Sequence, residues 1–164
     1  MVPVGCCAPL GNQQNDEGST SVAIVESVTP NLVQTIKILR VSTSQLVSVH
    51  QLEDDSYILK GFTINYNDDE TSYQLEEYSS DDGDYYKLKV YDSDLYVYLD
   101  QNKMLKVGIP PVDSSDSFTI NEAQYEGLSH FIDTKYSCYM GFHLNGDPYC
   151  ADPNSEIDSL VNIV

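Results

Sequence analysis

Three histidines, four cysteines and a large excess of carboxylates are the residues of this sequence that could do chemistry. His50 precedes the run Glu53-Asp54-Asp55, so a histidine–carboxylate dyad for proton transfer is conceivable. A surface histidine beside a turn is the favoured interpretation. No serine stands in a G-x-S-x-G pattern, and no glycine-rich loop could cradle a phosphate. The sequence therefore predicts no catalytic residues and no enzyme.

Metal-binding patterns are equally weak. There is no C-x-x-C and no H-E-x-x-H, the spacings that are typical of zinc sites. Carboxylates are densest in the stretch 76–84, where calcium would find oxygen ligands. The twelve-residue register of an EF-hand loop is absent around Gly83, so a solvated acidic loop is favoured. We expect no metal and no cofactor.

The cysteines do not predict a disulfide scaffold. Cys6 and Cys7 are adjacent near the N-terminus, where lipidation or intermolecular bridging is possible and two unordered thiols are favoured. Cys138 and Cys150 could bridge two neighbouring strands in an oxidising compartment. Otherwise Cys138 is a small buried hydrophobe, and this is the favoured interpretation.

Charge excludes several function classes. The 26 acidic and 8 basic residues give a formal net charge of −18. Phosphate and sulfate groups need a basic surface, so we expect no nucleic-acid, heparin or anionic-membrane binding. Residues 51–100 alone carry 14 Asp and Glu against three Lys. Such a segment would speed encounter with a basic partner surface, at a rate that falls with salt.

Length and patterning predict one all-β domain behind a tail. Residues 1–24 are rich in Gly, Asn, Gln and Ser and are expected to form a flexible tail or pro-segment, without the basic start and apolar run of a secretory signal. Residues 25–164 form the domain. The only helix-like segment, 21–28, is short. Apolar and β-branched runs predict strands at 35–41, 45–50, 57–66, 72–78, 86–91, 95–100, 104–109, 117–121, 127–133, 138–144 and 159–164.

An internal repeat narrows the architecture. The segments LVSVHQLEDDSYILKG, LYVYLDQNKMLKVG and CYMGFHLNGDPYCAD begin at residues 46, 95 and 138. Each reads as a strand, a polar turn and a second apolar strand. Repeats of this length fit a β-trefoil or a propeller, and a propeller needs at least four blades. The chain is too short for four, so we expect a β-trefoil of about twelve strands in three pseudo-repeats.

The order and spacing of several segments resemble the interleukin-1 cytokine family, within the wider β-trefoil group that includes the fibroblast growth factors. The resemblance covers residues 35–164 and is carried by LR at 39–40, YILK at 57–60, LKV at 88–90, LYV at 95–97, KMLKV at 103–107 and FTI at 118–120. It implies a monomeric cytokine or antagonist that binds an immunoglobulin-like receptor through surface loops. It also implies leaderless secretion, with a cytoplasmic pool before release.

The resemblance places one receptor-contact patch on the first trefoil strand, its following turn and the strand near Tyr57. Arg40 is the only arginine of the chain, and arginine is enriched at interface hot spots. The alternative is that Arg40 caps the open end of the barrel or pairs with a local carboxylate. Relatives carry lysines where this chain has Asp92-Ser93-Asp94, which suggests a divergent receptor. The implied receptor-binding residues are Arg40, Ser42, Thr43, Ser44, Lys60, Thr63 and Asn65.

Two other binding modules would use the same fold. A trefoil lectin usually repeats a Q-x-W motif, and this chain has no Trp. A protease inhibitor needs an exposed rigid loop, for which Ile109-Pro110-Pro111-Val112 is the candidate. An ordinary connection between trefoil units is favoured for that segment. A calcium-dependent β-sandwich is a weaker third possibility. Heparin binding by a growth-factor relative is excluded, because no Lys or Arg follows Lys135.

Overall fold

The computed structural model describes residues 28–63 and 68–164. Within these ranges the helical turns are α1 (Asp68–Thr71), a 3₁₀ turn (Pro153–Ser155) and α2 (Glu156–Ser159), and no helix is long and apolar enough to cross a membrane. The strands are β1 (Leu32–Ile36), β2 (Ile38–Arg40), β3 (Ser48–Gln51), β4 (Tyr57–Lys60), β5 (Tyr73–Ser80), β6 (Gly83–Val90), β7 (Tyr96–Leu99), β8 (Leu105–Gly108), β9 (Phe118–Glu122), β10 (Ser129–Asp133), β11 (Tyr139–Phe142), β12 (Pro148–Ala151) and β13 (Val161–Ile163).

Antiparallel pairing closes seven of the strands into a ring. β1 pairs with β5, β5 with β6, β6 with β9, β9 with β10, β10 with β13, and β13 with β2. Lys37 joins β1 to β2, and its N–H and C=O both pair with Val164 at 2.9 Å. β1 and β2 therefore act as one bent strand. With β1 and β2 counted as one strand, each of the six strands of the ring has a partner on both sides.

The remaining strands form three hairpins, which together are called the cap. β3 pairs with β4, β7 with β8, and β11 with β12. They fall in the three sequence repeats that begin at residues 46, 95 and 138. A six-stranded barrel with three cap hairpins is a β-trefoil, which confirms the predicted fold class and its threefold repeat.

Alternating side chains build the core. Along β7, Val97 and Leu99 are buried while Tyr96 and Tyr98 are half-buried, as the pattern of that segment predicts. Phe131 and Phe142 have no exposed surface. Burial of a side chain of this size contributes about 1.5–3 kcal/mol to folding. The core therefore holds the cap hairpins onto the barrel.

Cys138 and Cys150 form a disulfide, with Cα atoms 5.0 Å apart. The preference for a reduced Cys138 is therefore wrong, although its burial is as expected. Pairing of β11 with β12 sets Met140 opposite Cys150 and so brings the two sulfurs within bonding reach. The bridge fastens the third cap hairpin.

Two short helices were not predicted, and the predicted N-terminal tail is not covered by the structure. The helical turns α1 and α2 were missed, because four-residue helices carry no readable periodicity. The predicted tail 1–24, with Cys6 and Cys7, lies outside the described residues. So does all of the helix-like segment 21–28 except Val28.

Candidate binding cleft

A tight turn after β2 carries three of the predicted contact residues. The Arg40 N–H donates to the Gln45 carbonyl at 2.8 Å, and the Ser44 N–H donates to the Arg40 carbonyl at 3.0 Å. Ser44 takes a positive φ of 56°, which lets the chain reverse. Ser42 and Ser44 are exposed, and Thr43 is half-buried. The turn thus presents the polar side chains of Ser42 and Ser44 at the surface, whereas the Thr43 hydroxyl is buried.

Two further segments face this turn. The Thr63 hydroxyl donates to the Leu46 carbonyl at 3.0 Å, which ties the segment after β4 to the segment before β3. The Gly61 N–H donates to the Gly146 carbonyl at 2.8 Å and so joins the first hairpin to the third. From the loop of the third hairpin, Leu144 extends into solvent with 85% of its surface exposed.

These segments enclose a cleft of about 400 Å³. The cleft brings together Arg40, Thr43 and Thr63, which belong to separate parts of the predicted patch. Ser42 and Ser44 share the turn of Thr43. Asn65 lies outside the described residues. The cleft lining is Arg40, Thr43, Gln45, Gly61, Phe62, Thr63 and Leu144.

Arg40 forms the floor of the cleft, and the prediction that it is an exposed receptor-contact residue is wrong. Only 2% of its surface is exposed. Its guanidinium donates to the carbonyls of Gly61 (3.0 Å), Phe142 (3.1 Å) and His143 (3.1 Å), and lies 5.4 Å from the Phe142 ring centre. Arg40 therefore closes the barrel end between the first and third units, as the alternative interpretation describes. Its side chain is too buried to contact a partner directly, and it can only stabilise the surface residues that cover it.

The buried Arg40 guanidinium is closely surrounded, and burial also affects its pKa. A Cβ on Gly61 would lie 2.8 Å from the Arg40 Nη1 and 2.8 Å from the Phe142 Cγ, so only glycine fits there. Burial lowers the pKa of Arg40, and the carboxylate of Asp158 partly opposes this change. The guanidinium stays charged at neutral pH because its ordinary pKa is so high.

Lys60, a further residue of the predicted patch, forms an ion pair and is not part of the cleft lining. The Lys60 ammonium, on β4, binds the Asp147 carboxylate in the loop of the third hairpin. That hydrogen bond holds the pKa of Asp147 below its usual range. Both side chains are partly exposed, so the contribution of the pair to stability is small. The pair joins β4 to the hairpin loop that carries Leu144.

Two groups of Ser, His and Glu side chains have the composition of a catalytic triad. Ser48 Oγ lies 2.7 Å from His50 Nε2, and His50 Nδ1 lies 4.0 Å from Glu70. The expected carboxylate run 53–55 is thus not the partner of His50. Both Ser48 and the second serine, Ser159, have no exposed surface. The Ser48 hydroxyl donates to the Phe62 carbonyl, so neither burial nor proton direction suits a nucleophile.

The second group is also unsuited to nucleophilic catalysis, because Ser159 is buried. His130 is buried, with its Nδ1 at 3.0 Å from Ser159 Oγ and its Nε2 at 3.6 Å from Glu156. The Ser159 hydroxyl donates to the Glu156 carbonyl at 3.2 Å. This group ties α2 to β10. Within residues 28–63 and 68–164, no three His, Cys, Asp or Glu side chains are placed to hold a metal ion.

No family model matches the chain, and no curated protein matches its sequence. Solved structures do match. SeviL, solved bound to the asialo-GM1 saccharide, is 13% identical with a TM-score of 0.60, over 81% of this chain and 98% of its own. A salivary protein of Culex quinquefasciatus from a cysteine- and tryptophan-rich family is 12% identical, with a TM-score of 0.60, over 80% and 92%.

A mutant of interleukin-1 beta from Gallus is 8% identical, with a TM-score of 0.60, over 84% of this chain and 99% of its own. At such identities these matches show the β-trefoil fold alone. The fold therefore serves saccharide-bound, salivary and cytokine proteins alike. The function must be argued from the surface of this chain.

Sequence reasoning missed part of the cleft. The predicted strands 57–66 and 138–144 include Phe62 and Leu144, yet β4 ends at Lys60 and β11 at Phe142. Both residues lie outside the strands and line the cleft. The Asn145-Gly146 pair was the available signal, because Gly146 has a φ of +91° and turns the loop directly after Leu144.

Proposed function

We propose that this chain is a secreted, non-catalytic, interleukin-1-like binding protein that engages an immunoglobulin-like receptor through the cleft. The observation that carries the proposal is the convergence of Thr43, Thr63 and the turn 42–44 around one open cleft beside exposed Leu144. An exposed apolar side chain near a turn with the exposed polar residues Ser42 and Ser44 is typical of a protein interface with a hydrophobic centre and a polar rim.

Three further points support the proposal. The β-trefoil fold is shared with interleukin-1 beta from Gallus. The Cys138–Cys150 disulfide suits an oxidising, extracellular compartment. Both serines of the Ser–His–Glu groups are sealed from solvent, which favours binding over hydrolysis.

Surface plasmon resonance tests the proposal. The full chain is passed over a panel of interleukin-1-family receptor ectodomains at two salt concentrations. We expect binding by at least one ectodomain, with an association rate that falls as salt rises, because the acidic segment 51–100 steers the encounter. The cleft variant Thr43→Lys should weaken that binding about tenfold. An exposed site elsewhere, Asn121→Lys on β9, is the control.

Absence of binding to every ectodomain would contradict the receptor proposal. Equal binding by Thr43→Lys and the wild type would show that the receptor does not bind at the cleft. An association rate that ignores salt would remove the steering role of the acidic segment.

A protease inhibitor is the second candidate, because the loop after β8 is unusually exposed. Ile109 is 67% exposed and Val112 is fully exposed, at 106%. Pro110 and Pro111 stiffen the loop. However, the Pro111 carbonyl accepts from the Ser114 N–H (3.1 Å) and hydroxyl (2.6 Å), so the loop folds back. A protease needs an extended segment, which favours the receptor proposal.

Inhibition of an elastase-type protease, which has a small apolar specificity pocket, tests this second candidate. A tight complex that is lost in Val112→Asp would support it. Rapid cleavage or no complex would exclude it and leave the receptor proposal in place.

A further inference from the structure

One half of the bent strand β1–β2 has a strand partner on one side only. β2 pairs with β13, and this pairing ends where Lys37 exchanges both backbone hydrogen bonds with Val164. β1 extends beyond that point and pairs with β5 on its other side. No further strand of the described ranges pairs with β1. The side of β1 that would continue the β2–β13 pairing therefore lacks a strand partner there, and we call it the β1 edge.

Both faces of β1 are open to solvent at its start. Leu32 is 47% exposed and Val33 is 46% exposed. Adjacent residues of a strand point to opposite faces, so neither face is covered at this point. An edge strand with exposed apolar side chains is a ready template for pairing, and proteins usually cover such an edge. A covering strand would therefore be stabilised here by backbone pairing and by apolar contact.

A cavity of about 260 Å³ opens beside the start of β1. It lies away from the cleft, because Leu32 and Arg40 stand at opposite ends of the bent strand. The lining is mostly apolar, with Glu77 as its charged member. Because five strands of the ring contribute to it, the cavity is the mouth of the barrel. These five strands contribute Leu32, Leu75, Tyr86, Ile120 and Ile163.

The segment just before β1 has the composition of a covering strand. Residues 22–25 are Val, Ala, Ile and Val. Valine and isoleucine favour extended backbone, because their branched side chains pack well on a pleated surface. Four apolar residues in succession would supply apolar side chains to both faces of an added strand. This composition matches an edge whose two faces expose Leu32 and Val33.

A short turn can place this segment along β1. Pro30 and Asn31 stand between the segment and β1. Proline is favoured at the second position of a β-turn, and asparagine is a common turn residue. The chain bends at Asn31, whose side chain donates to the Ser79 hydroxyl at 2.7 Å. Attachment through so few residues keeps the segment at a high effective concentration near the β1 edge.

Charge disfavours a second copy of the chain at this edge. β1 lies beside β5, which carries Glu76 and Glu77. Pairing of two β1 edges would bring two acidic surfaces together in a chain of net charge −18, and such surfaces repel. Residues 22–27 contain a single carboxylate, that of Glu26. The preceding segment of the same chain therefore meets less repulsion than a second copy.

We propose that residues 22–27 add as a strand to the β1 edge and close the barrel mouth. Their backbone N–H and C=O groups pair with those of β1, as in β-strand addition. Their apolar side chains cover Leu32 and Val33. The proposal does not depend on receptor binding, because the cleft lies at the other end of the barrel.

Hydrogen exchange of backbone amides, followed by mass spectrometry, tests this proposal on the full chain. We expect β1 amides to exchange about tenfold faster in Ile24→Asp than in the wild type. In Val33→Asp, the amides of residues 22–27 should be the ones that exchange about tenfold faster. The matched controls are Leu10→Asp, an apolar residue earlier in the sequence, and Val112→Asp, an exposed apolar residue elsewhere. Unchanged exchange in β7 confirms that the barrel stays folded.

Nuclear Overhauser contacts in the wild type locate the segment directly, and we expect them between residues 22–27 and β1. Contacts of the segment with the cap instead would overturn the proposal. So would equal exchange of β1 in Ile24→Asp and the wild type, or an equal effect of Leu10→Asp. Protection of β1 that rises with protein concentration, together with a dimeric mass in light scattering, would assign the edge to a second copy and reject residues 22–27.

Discussion

Substitution of Arg40 should measure how firmly the first and third trefoil units are joined. Its guanidinium donates to backbone carbonyls on both sides of the junction, at 3.0 Å to Gly61 and 3.1 Å to Phe142. Truncation to alanine leaves a cavity in place of a large side chain with only 2% exposure. It also leaves those carbonyls without their donor.

The two losses have known sizes. Truncation of a large buried side chain costs about 3–5 kcal/mol, and an unsatisfied buried acceptor costs about 1–3 kcal/mol. Removal of a desolvated charge offsets part of the sum. We therefore expect Arg40→Ala to lower the free energy of unfolding by about 4 kcal/mol. Arg40→Lys should lose about 2 kcal/mol, because one ammonium cannot replace a two-pronged donor.

Urea denaturation followed by circular dichroism measures both variants, with the exposed-site variant Asn121→Ala as control. The slope with urea should stay unchanged, since the surface exposed on unfolding is the same. An Arg40→Ala variant within about 0.5 kcal/mol of the wild type would refute the role of Arg40 at the junction.

Three more results are expected. Replacing Cys138 and Cys150 by serine should lower the free energy of unfolding by about 3 kcal/mol, since the bridge closes a short loop, and denaturation with and without reductant measures this. Gly61→Ala should lose about 2 kcal/mol by overpacking against the buried guanidinium, whereas Gly108→Ala, whose Cβ would sit 3.7 Å from the nearest atom, should avoid that overpacking. Burial and a hydrogen bond to a carboxylate raise the pKa of Tyr96 to about 12. The stability that this group contributes is therefore complete below pH ~10 and is lost as pH rises toward 12, as tyrosinate absorbance and alkaline unfolding of Tyr96→Phe would reveal.

Each result has a clear contrary outcome. A reductant-insensitive midpoint would show that the bridge adds no stability. Equal losses for the two glycine variants would mean that crowding does not decide these sites. Ionisation of Tyr96 in step with an exposed tyrosine would contradict its shielded environment.

The fold could be predicted because its signals are local and repeated. Alternation in β7 places Val97 and Leu99 inside, and the repeat beginning at residues 46, 95 and 138 identifies the three cap hairpins. Turn residues between apolar runs mark strand ends with little dependence on distant parts of the chain. These features determine the barrel and its threefold arrangement.

The candidate site could be predicted only in part, because its decisive contacts are long-range. Arg40 reaches carbonyls about a hundred residues away, in the third unit, and a sequence pattern does not register such a partner. Because the sequence does not show these partners, it predicts that the only arginine of the chain lies at a binding surface. The apolar run 138–144 likewise predicts a strand through Leu144, although the turn at Gly146 puts this residue in solvent.

The most direct test of the central claim compares two exposed apolar residues on the same receptor ectodomain. Leu144 borders the cleft, and Val112 stands on the loop after β8. Surface plasmon resonance should show that Leu144→Asp raises Kd about tenfold or more, while Val112→Asp changes it by less than about twofold. The opposite pattern, or equal effects of the two variants, would contradict binding through the cleft.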